Sequence, residues 1–303
     1  MDKIQRYGRQ YPWMVGILPV AAELLYNLPR ETDLCARRCN WELEGRFGRY
    51  YPHKNQFVPG VTCEFFETTL NTLDSFSEWK DVRGWQLSNT YYYKKDGKQW
   101  RTEVTYGDEM VHTFHHLKHT VQKCDLETDE AIFGDVRVCL SVEEPIDDST
   151  VPDKVDPLFI RRKLRKRFFY ASAGNMQSTW SFDMTIVNEG KTMAEIEDQL
   201  EKHERQYEIE CECIDIWSII SDGCHDCIYV IVSLLLKLKD FIQPKIPSLC
   251  VQTWKLLRRH EKTEIDWANP QFIPICEDVE DDGEINDSQT LQIDFSSFDG
   301  YFS

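Results

Sequence analysis

Glutamates recur at every second position in two widely separated stretches, Trp41-Glu42-Leu43-Glu44-Gly45-Arg46-Phe47 and Tyr207-Glu208-Ile209-Glu210-Cys211-Glu212-Cys213. A period of two places Glu42 with Glu44, and Glu208 with Glu210 and Glu212, on one face of a β-strand in each case. Like charges side by side repel. Unmixed rows of carboxylate backed by apolar residues therefore indicate an acidic floor around something positive. Between them lies Arg161-Arg162-Lys163-Leu164-Arg165-Lys166-Arg167, whose Arg161, Lys163, Arg165 and Arg167 share a strand face. Trp180-Ser181-Phe182-Asp183-Met184-Thr185 follows, with Asp183 and Thr185 on one face. Hard carboxylate oxygens suit Mg²⁺ or Mn²⁺, and guanidinium and ammonium groups suit phosphate oxygens. The pattern fits a metal–polyphosphate complex.

The elements that must position these rows follow from periodicity. Residues 1–38 read as an entry segment with a helix around Val20–Tyr26, ended by Leu28-Pro29. From Asn40 the pattern is β, with alternating stretches separated by turns such as Asp96-Gly97 and Asn188-Glu189-Gly190. Thr68–Trp79 is an exception, since Leu70, Leu73 and Phe76 recur at helical spacing. Met193–Tyr207 is charged and reads as a loop or short helix. After Cys213, apolar residues return at helical intervals from Ile216 to Leu235, which predicts a long helix, broken or not at Asp222-Gly223. The expected divisions are a helical extension at 1–38, a β domain at 39–216, a helical segment packed on it at 217–262, and an acidic unstructured tail at 263–303.

The chain resembles the triphosphate tunnel metalloenzymes, and within them the metal-dependent RNA triphosphatases of mRNA capping in fungi, protists and large DNA viruses. The matching tracts, in order, are Glu42–Gly48 and Phe57-Val58-Pro59-Gly60-Val61, then Arg101-Thr102-Glu103-Val104-Thr105-Tyr106 and Asp135–Glu143. Arg161–Arg165, Asp183–Val187 and Glu208–Glu212 complete the set. The resemblance implies a mainly β fold, a closed antiparallel eight-stranded barrel with flanking helices. It implies that Glu42, Glu44 and Glu212 are ligands of one divalent cation, with Glu208 and Glu210 holding the floor and its basic partners. Arg101, Lys118, Lys163 and Arg165 reach the phosphates, with Arg161 close by, and Lys118 rests on an ambiguous strand register. Glu143, sharing a face with Arg137, orients the attacking water. Asp183 and Thr185 buttress the basic roof, and Arg46 pairs with neighbouring floor acids. The implied substrate is the 5′-triphosphate end of RNA (also NTP), with a separate guanylyltransferase as partner and a location in the nucleus, or in the cytoplasm or a viral factory if the protein is viral. An inorganic triphosphatase, or a non-catalytic subunit that binds RNA ends, are the alternatives.

Bulk composition sets limits. The 303 residues carry 35 Lys+Arg against 52 Asp+Glu, a net charge of −17 that would ordinarily disfavour a nucleic-acid partner. Nine of those acids lie in Cys276–Ser303, which has no Lys or Arg, so the rest is only mildly acidic. The aromatic–acidic run Ile293–Phe302 reads equally as a docking peptide for a capping or polymerase partner and as a solubilising tail. Eleven cysteines without an apolar leader read as reduced thiols. Cys224-His225-Asp226-Cys227 is half of a zinc pattern, and His112, His115, His116 and His119 invite a second zinc reading; packing residues and a strand, respectively, account for them better. The longest apolar run, Cys227–Leu236, falls well short of the roughly twenty residues that a membrane span needs. No Gly-x-x-x-x-Gly-Lys-[Ser/Thr] loop is present, and no Cys is followed six positions later by Arg. These absences remove a P-loop NTPase and a cysteine-nucleophile phosphatase.

Overall fold

The computed structural model describes residues 2–26, 40–95, 98–107, 110–128, 134–146, 156–171, 179–214, 216, 227–242 and 254–260. Among the described residues there are ten strands: β1 (Asn40–Tyr51), β2 (Gln56–Pro59), β3 (Asp81–Lys95), β4 (Lys98–Tyr106), β5 (Val111–Glu127), β6 (Asp135–Pro145), β7 (Phe159–Ala171), β8 (Thr179–Gly190), β9 (Gln206–Ile214) and β10 (Lys255–Arg259). Eight of them close a barrel. Antiparallel pairing runs β3-β4-β5-β6-β1-β9-β8-β7, and β7 returns to β3 through contacts such as Ser88↔Lys163. Closure leaves no free edge among these strands. The remaining two strands extend the wall, β2 against β1 and β10 against β5.

Because side chains alternate, each strand has an inner and an outer face, and here the inner face is the charged one. Glu42, Glu44 and Arg46 point inward from β1, while Trp41, Leu43 and Phe47 point outward and are buried. The main apolar core therefore sits outside the barrel, between its wall and a helical layer. Helices α1 (Asp2–Gln10) and α2 (Leu18–Tyr26) supply Ile17, Leu18, Ala21, Leu24 and Leu25. They pack with α5 (Cys227–Ile242) and its Val230, Ile231, Leu234, Leu235 and Leu238 over β1, β5, β6 and β9. Helix α3 (Cys63–Ser75) is capped by Thr62, whose hydroxyl accepts from Phe65 N at 3.2 Å. It seats Phe65 on Phe47 (5.6 Å) and Phe66 on Tyr207 (5.0 Å). Helix α4 (Met193–Glu201) packs on β8.

Several boundaries differ from the sequence-based expectation. The helix expected at 68–79 runs Cys63–Ser75, because Thr62 supplies the cap and Phe76 is extended. A helix at Asp2–Gln10 precedes the expected one. Within the segment expected to be helical to 262, Lys255–Arg259 form a strand on β5, fixed by Trp254 stacking edge-on to Trp13 at 4.9 Å. Cys224, the Asp222-Gly223 break and the 263–303 tail lie outside the described residues.

One close approach is diagnostic. Gly134 has φ +79°, and a Cβ there would meet the Gly48 carbonyl oxygen at 2.2 Å. The Gly134→Ala protein is expected to lose about 1–3 kcal/mol through backbone strain and overpacking, read as a lower urea midpoint with an unchanged slope.

Candidate active site

The barrel encloses a cavity of about 780 Å³ with charged walls. The floor comes from β1 and β9, which run side by side with Glu44 opposite Glu212 and Arg46 opposite Glu210. Arg46 Nη2 lies 2.6 Å from Glu44 Oε1 and 3.3 Å from Glu210 Oε1, tying the two rows together. Lys118 enters from β5, and its register there is now defined: it faces inward opposite Glu143. Its Nζ is 2.5 Å from Glu42 Oε2, 3.6 Å from Glu44 Oε2 and 3.6 Å from Glu143 Oε1.

Opposite stand the cations of β7 and β4. Arg161 Nη2 donates to Glu208 at 2.5 Å. Arg165 is held by Asp183 at 3.3 Å and donates to Thr185 Oγ1 at 3.3 Å. Arg167 shares Asp183 at 2.9 Å, and Ser181 donates to the same carboxylate. Arg101 Nη2 lies 3.5 Å from Glu143. Lys163 is buried at 5% exposure and makes no ion pair within 4.0 Å among the described residues. Of the residues singled out from sequence, Arg137 has its charge committed outside the floor and the basic row. It lines the same wall, but its Nε and Nη2 are spent on Asp125, at 2.7 and 3.0 Å.

The acids are over-supplied relative to the cations that touch them. Burial, with Glu143 and Glu44 nearby, outweighs Lys118 and raises Glu42 to about 7. Burial also pushes Glu212 well above the carboxylate range, helped by Glu42, Asp183 and Glu44. Burial works against Glu44 too, but Arg46 and Lys118 prevail and leave it lower than usual. Lys118 and Arg46 reach Glu42 and Glu44, but among the described residues no cation lies within 4.0 Å of Glu212. The donor set of Glu42, Glu44 and Glu212, with hard oxygens and surplus negative charge, fits a small divalent cation. Among the described residues no three His, Cys, Asp or Glu side chains already stand grouped at metal-binding spacing.

No protein-family profile and no curated protein sequence matches this chain. Its architecture does have counterparts among solved structures. It superposes on the Schizosaccharomyces pombe Pct1 RNA triphosphatase with TM-score 0.52 at 15% identity, covering 74% of this chain and 90% of that one. The same enzyme in complex with the Spt5 CTD gives TM-score 0.51 at 14% identity, over 74% and 91%. The chain has the fold of the triphosphate tunnel metalloenzymes. A Mimivirus capping enzyme triphosphatase is a looser match, at TM-score 0.43 and 13% identity over 67% and 90%.

Three further side chains of the tunnel carry charge or hydrogen bonds that the sequence motifs left unassigned. Glu103, on β4, sits across from the basic row. Burial opposes its ionisation, yet Lys163, Arg165 and His116 hold it near 2. Tyr92 is pushed up by burial and pulled below its usual range by Lys163, Arg161 and Arg101. His116 is lowered to about 4 by burial and then Arg101, so it is neutral at pH 7. Strand parity was the available signal, since Glu103 shares a face with Arg101 and Thr105.

The histidine cluster splits across the wall. His116 faces the tunnel, His115 Nδ1 hydrogen-bonds Thr102 Oγ1 at 2.8 Å, and His119 lies 3.9 Å from Glu144. Alternation on β5 explains why they do not converge as a zinc site. Lys94-Lys95-Asp96-Gly97 spells the Lys-x-Asp-Gly pattern of guanylyltransferases, but Lys95 pairs with Lys98 across the β3–β4 hairpin.

Proposed function

We propose that the protein is a metal-dependent polynucleotide 5′-triphosphatase that removes the γ-phosphate from the 5′ end of nascent mRNA, the first step of cap formation. The observation that carries this reading is the facing of acids from β1 and β9 against Arg161, Lys163, Arg165 and Arg101 across one cavity. A polyphosphate fits between such walls, and a simple anion or cation alone would leave one of them uncompensated.

Glu42, Glu44 and Glu212 would hold Mg²⁺ or Mn²⁺. That ion, when bound, supplies charge neutralisation on the γ-phosphate oxygens. Lys118 then serves as a phosphate contact rather than as the carboxylates' own counter-ion. Arg165 and Lys163 bind non-bridging oxygens, and Arg101 with Arg161 aligns the chain of phosphates. Asp183 and Thr185 keep the Arg165 guanidinium from rotating away. Phosphoryl transfer asks mostly for positioning and charge stabilisation, which fixed cations in a walled tunnel provide. Glu143, touched by Arg101 and Lys118, orients the attacking water and accepts its proton. His116, neutral at pH 7, lies 3.7 Å from the Glu143 carboxylate and is placed to share that hydrogen bond.

The products are a 5′-diphosphate RNA end and orthophosphate, so a separate guanylyltransferase acts next. The site of action is the nucleus or a viral factory. The reading is tested by comparing γ-phosphate release from triphosphate-ended RNA with release from tripolyphosphate. Preference for RNA is the expected result, whereas equal or greater activity on tripolyphosphate assigns an inorganic triphosphatase.

Metal binding should depend on pH with a definite sign. Glu42 titrates near 7 and Glu212 above the ordinary range, so both carry protons that a cation must displace at low pH. Mn²⁺ affinity is expected to fall as pH drops from 8 to 6, with protons released on binding. Calorimetry in buffers of differing ionisation enthalpy reads both.

A further inference from the structure

The wall of the tunnel remote from Glu143 carries positive charge that neither the floor nor the phosphate contacts use. Along β6, Arg137 lies six residues from Glu143, about 20 Å at strand rise. On β5, Lys123 lies five residues beyond Lys118, about 17 Å. Lys123 lines the cavity and is half-buried, and among the described residues it makes no ion pair within 4.0 Å. Asp125, the buried acid close by, is already committed. Both of its oxygens are taken by Arg137, and His260 Nε2 lies 2.9 Å from one of them.

A second cation arrives from the C-terminal strand. Arg258 stands opposite Asp125 on β10, and its Nη1 donates to the Asn55 carbonyl at 3.0 Å and to the Asn55 side chain, which anchors the guanidinium. Burial lowers the Lys123 pKa and Arg137 lowers it further, Cys139 and Asp125 raise it, and Arg258 lowers it again, so Lys123 feels both guanidinium groups. Among the described residues no ion pair within 4.0 Å compensates Lys123, and Asp125 is shared between Arg137 and His260. An external polyanion is the natural complement.

We propose that Lys123 and Arg258 form a binding site for the ribose–phosphate chain of RNA just downstream of its triphosphate, and that this site makes the enzyme select polynucleotide ends over free nucleotides. The proposal rests on the triphosphatase reading and extends it. With Glu143 placing the water at one end of the tunnel, in-line displacement sends the leaving diphosphate toward the other end, where these cations stand. A free NTP ends before it reaches them. An RNA continues past, and its phosphodiesters meet Lys123 and then Arg258.

The test uses the full-length protein with Lys123→Ala, Arg258→Ala, the double variant and Lys123→Arg. Binding of a short 3′-labelled, 5′-triphosphate RNA is followed by fluorescence anisotropy over a salt series, with ATP as competitor, and KM is measured for both. The double variant is expected to bind RNA about tenfold more weakly, with a salt slope shallower by one to two. Its affinity and KM for ATP should be unchanged, and Lys123→Arg should bind RNA like the wild type. RNA binding unaffected by the double variant, or RNA and ATP weakened together, would overturn the proposal. So would a wild type that binds ATP as tightly as RNA. Failure of the wild type to hydrolyse either substrate would instead refute the triphosphatase reading, and the anisotropy data would still decide whether Lys123 and Arg258 hold RNA.

Discussion

Glu212→Gln is expected to slow γ-phosphate release at least a hundredfold while leaving the protein as stable as wild type or more so. The two effects have opposite signs for one physical reason. Glu212 has no cation within 4.0 Å among the described residues, and Glu42, Asp183 and Glu44 all disfavour its charge. Neutralising it in an isosteric side chain removes repulsion from the fold. The same change removes one of three carboxylates that would hold the divalent cation, on the order of 3 kcal/mol of transition-state stabilisation. Single-turnover release of labelled phosphate and a thermal melt read the two quantities separately. A variant with wild-type turnover would remove Glu212 from the metal site. One that was inactive and unstable would mark it as a structural residue.

The second large effect is expected at Arg165. Arg165→Ala should lower kcat by about a hundredfold, because a forked donor to the γ-phosphate oxygens is lost at the moment their charge redistributes. Arg165→Lys should recover only part of that, since an ammonium cannot both keep the Asp183 and Thr185 contacts and present a second donor to phosphate. Stability should change less than for an isolated buried pair, because Asp183 retains Arg167 at 2.9 Å and Ser181. Steady-state kinetics on triphosphate-ended RNA, set beside a melt for each variant, provide the check. A loss of stability that accounts for the whole loss of activity would reduce Arg165 to a structural role.

Much of the site was legible because a strand has a period of two. Glu42 and Glu44, the glutamates of β9 and the Arg161–Arg167 row all declare their shared faces by parity alone, and the structure puts those faces on one cavity. What parity cannot convey is which strands become neighbours. That Glu44 stands opposite Glu212, 168 positions away, depends on the β1–β9 pairing that closes the barrel. The Lys118 register was ambiguous because apolar Leu117 and the flanking histidines suit either face. A shift in the β5–β6 register between Thr120 and Gln122 also carries Lys123 and Asp125, at odd positions, to the side used earlier by even ones. Arg137 shows a different limit. It lines the cavity, yet its partner Asp125 comes from that bulged strand, and Asp125 is shared with His260, the residue just past β10, a strand that local pattern did not suggest. Glu103 was passed over because a single acid next to Arg101 looks like an ordinary surface pair until Lys163 and Arg165 are brought opposite it.

The inversion of the fold, with charge inside the barrel and the main apolar core outside, explains why the protein can concentrate ionised groups. Trp41, Leu43 and Phe47 anchor β1 to the helical layer from behind, so Glu42, Glu44 and Arg46 are held by packing that does not involve them. A site supported in this way is pre-organised, which is what charge stabilisation in phosphoryl transfer requires.

The most direct measurement is an anomalous diffraction map from crystals soaked in Mn²⁺ and tripolyphosphate. A peak within about 2.3 Å of carboxylate oxygens from Glu42, Glu44 and Glu212, with polyphosphate density reaching Arg165 and Lys163, is the predicted result. A peak bound elsewhere, or polyphosphate seated in the tunnel with no cation on those three glutamates, would contradict the account.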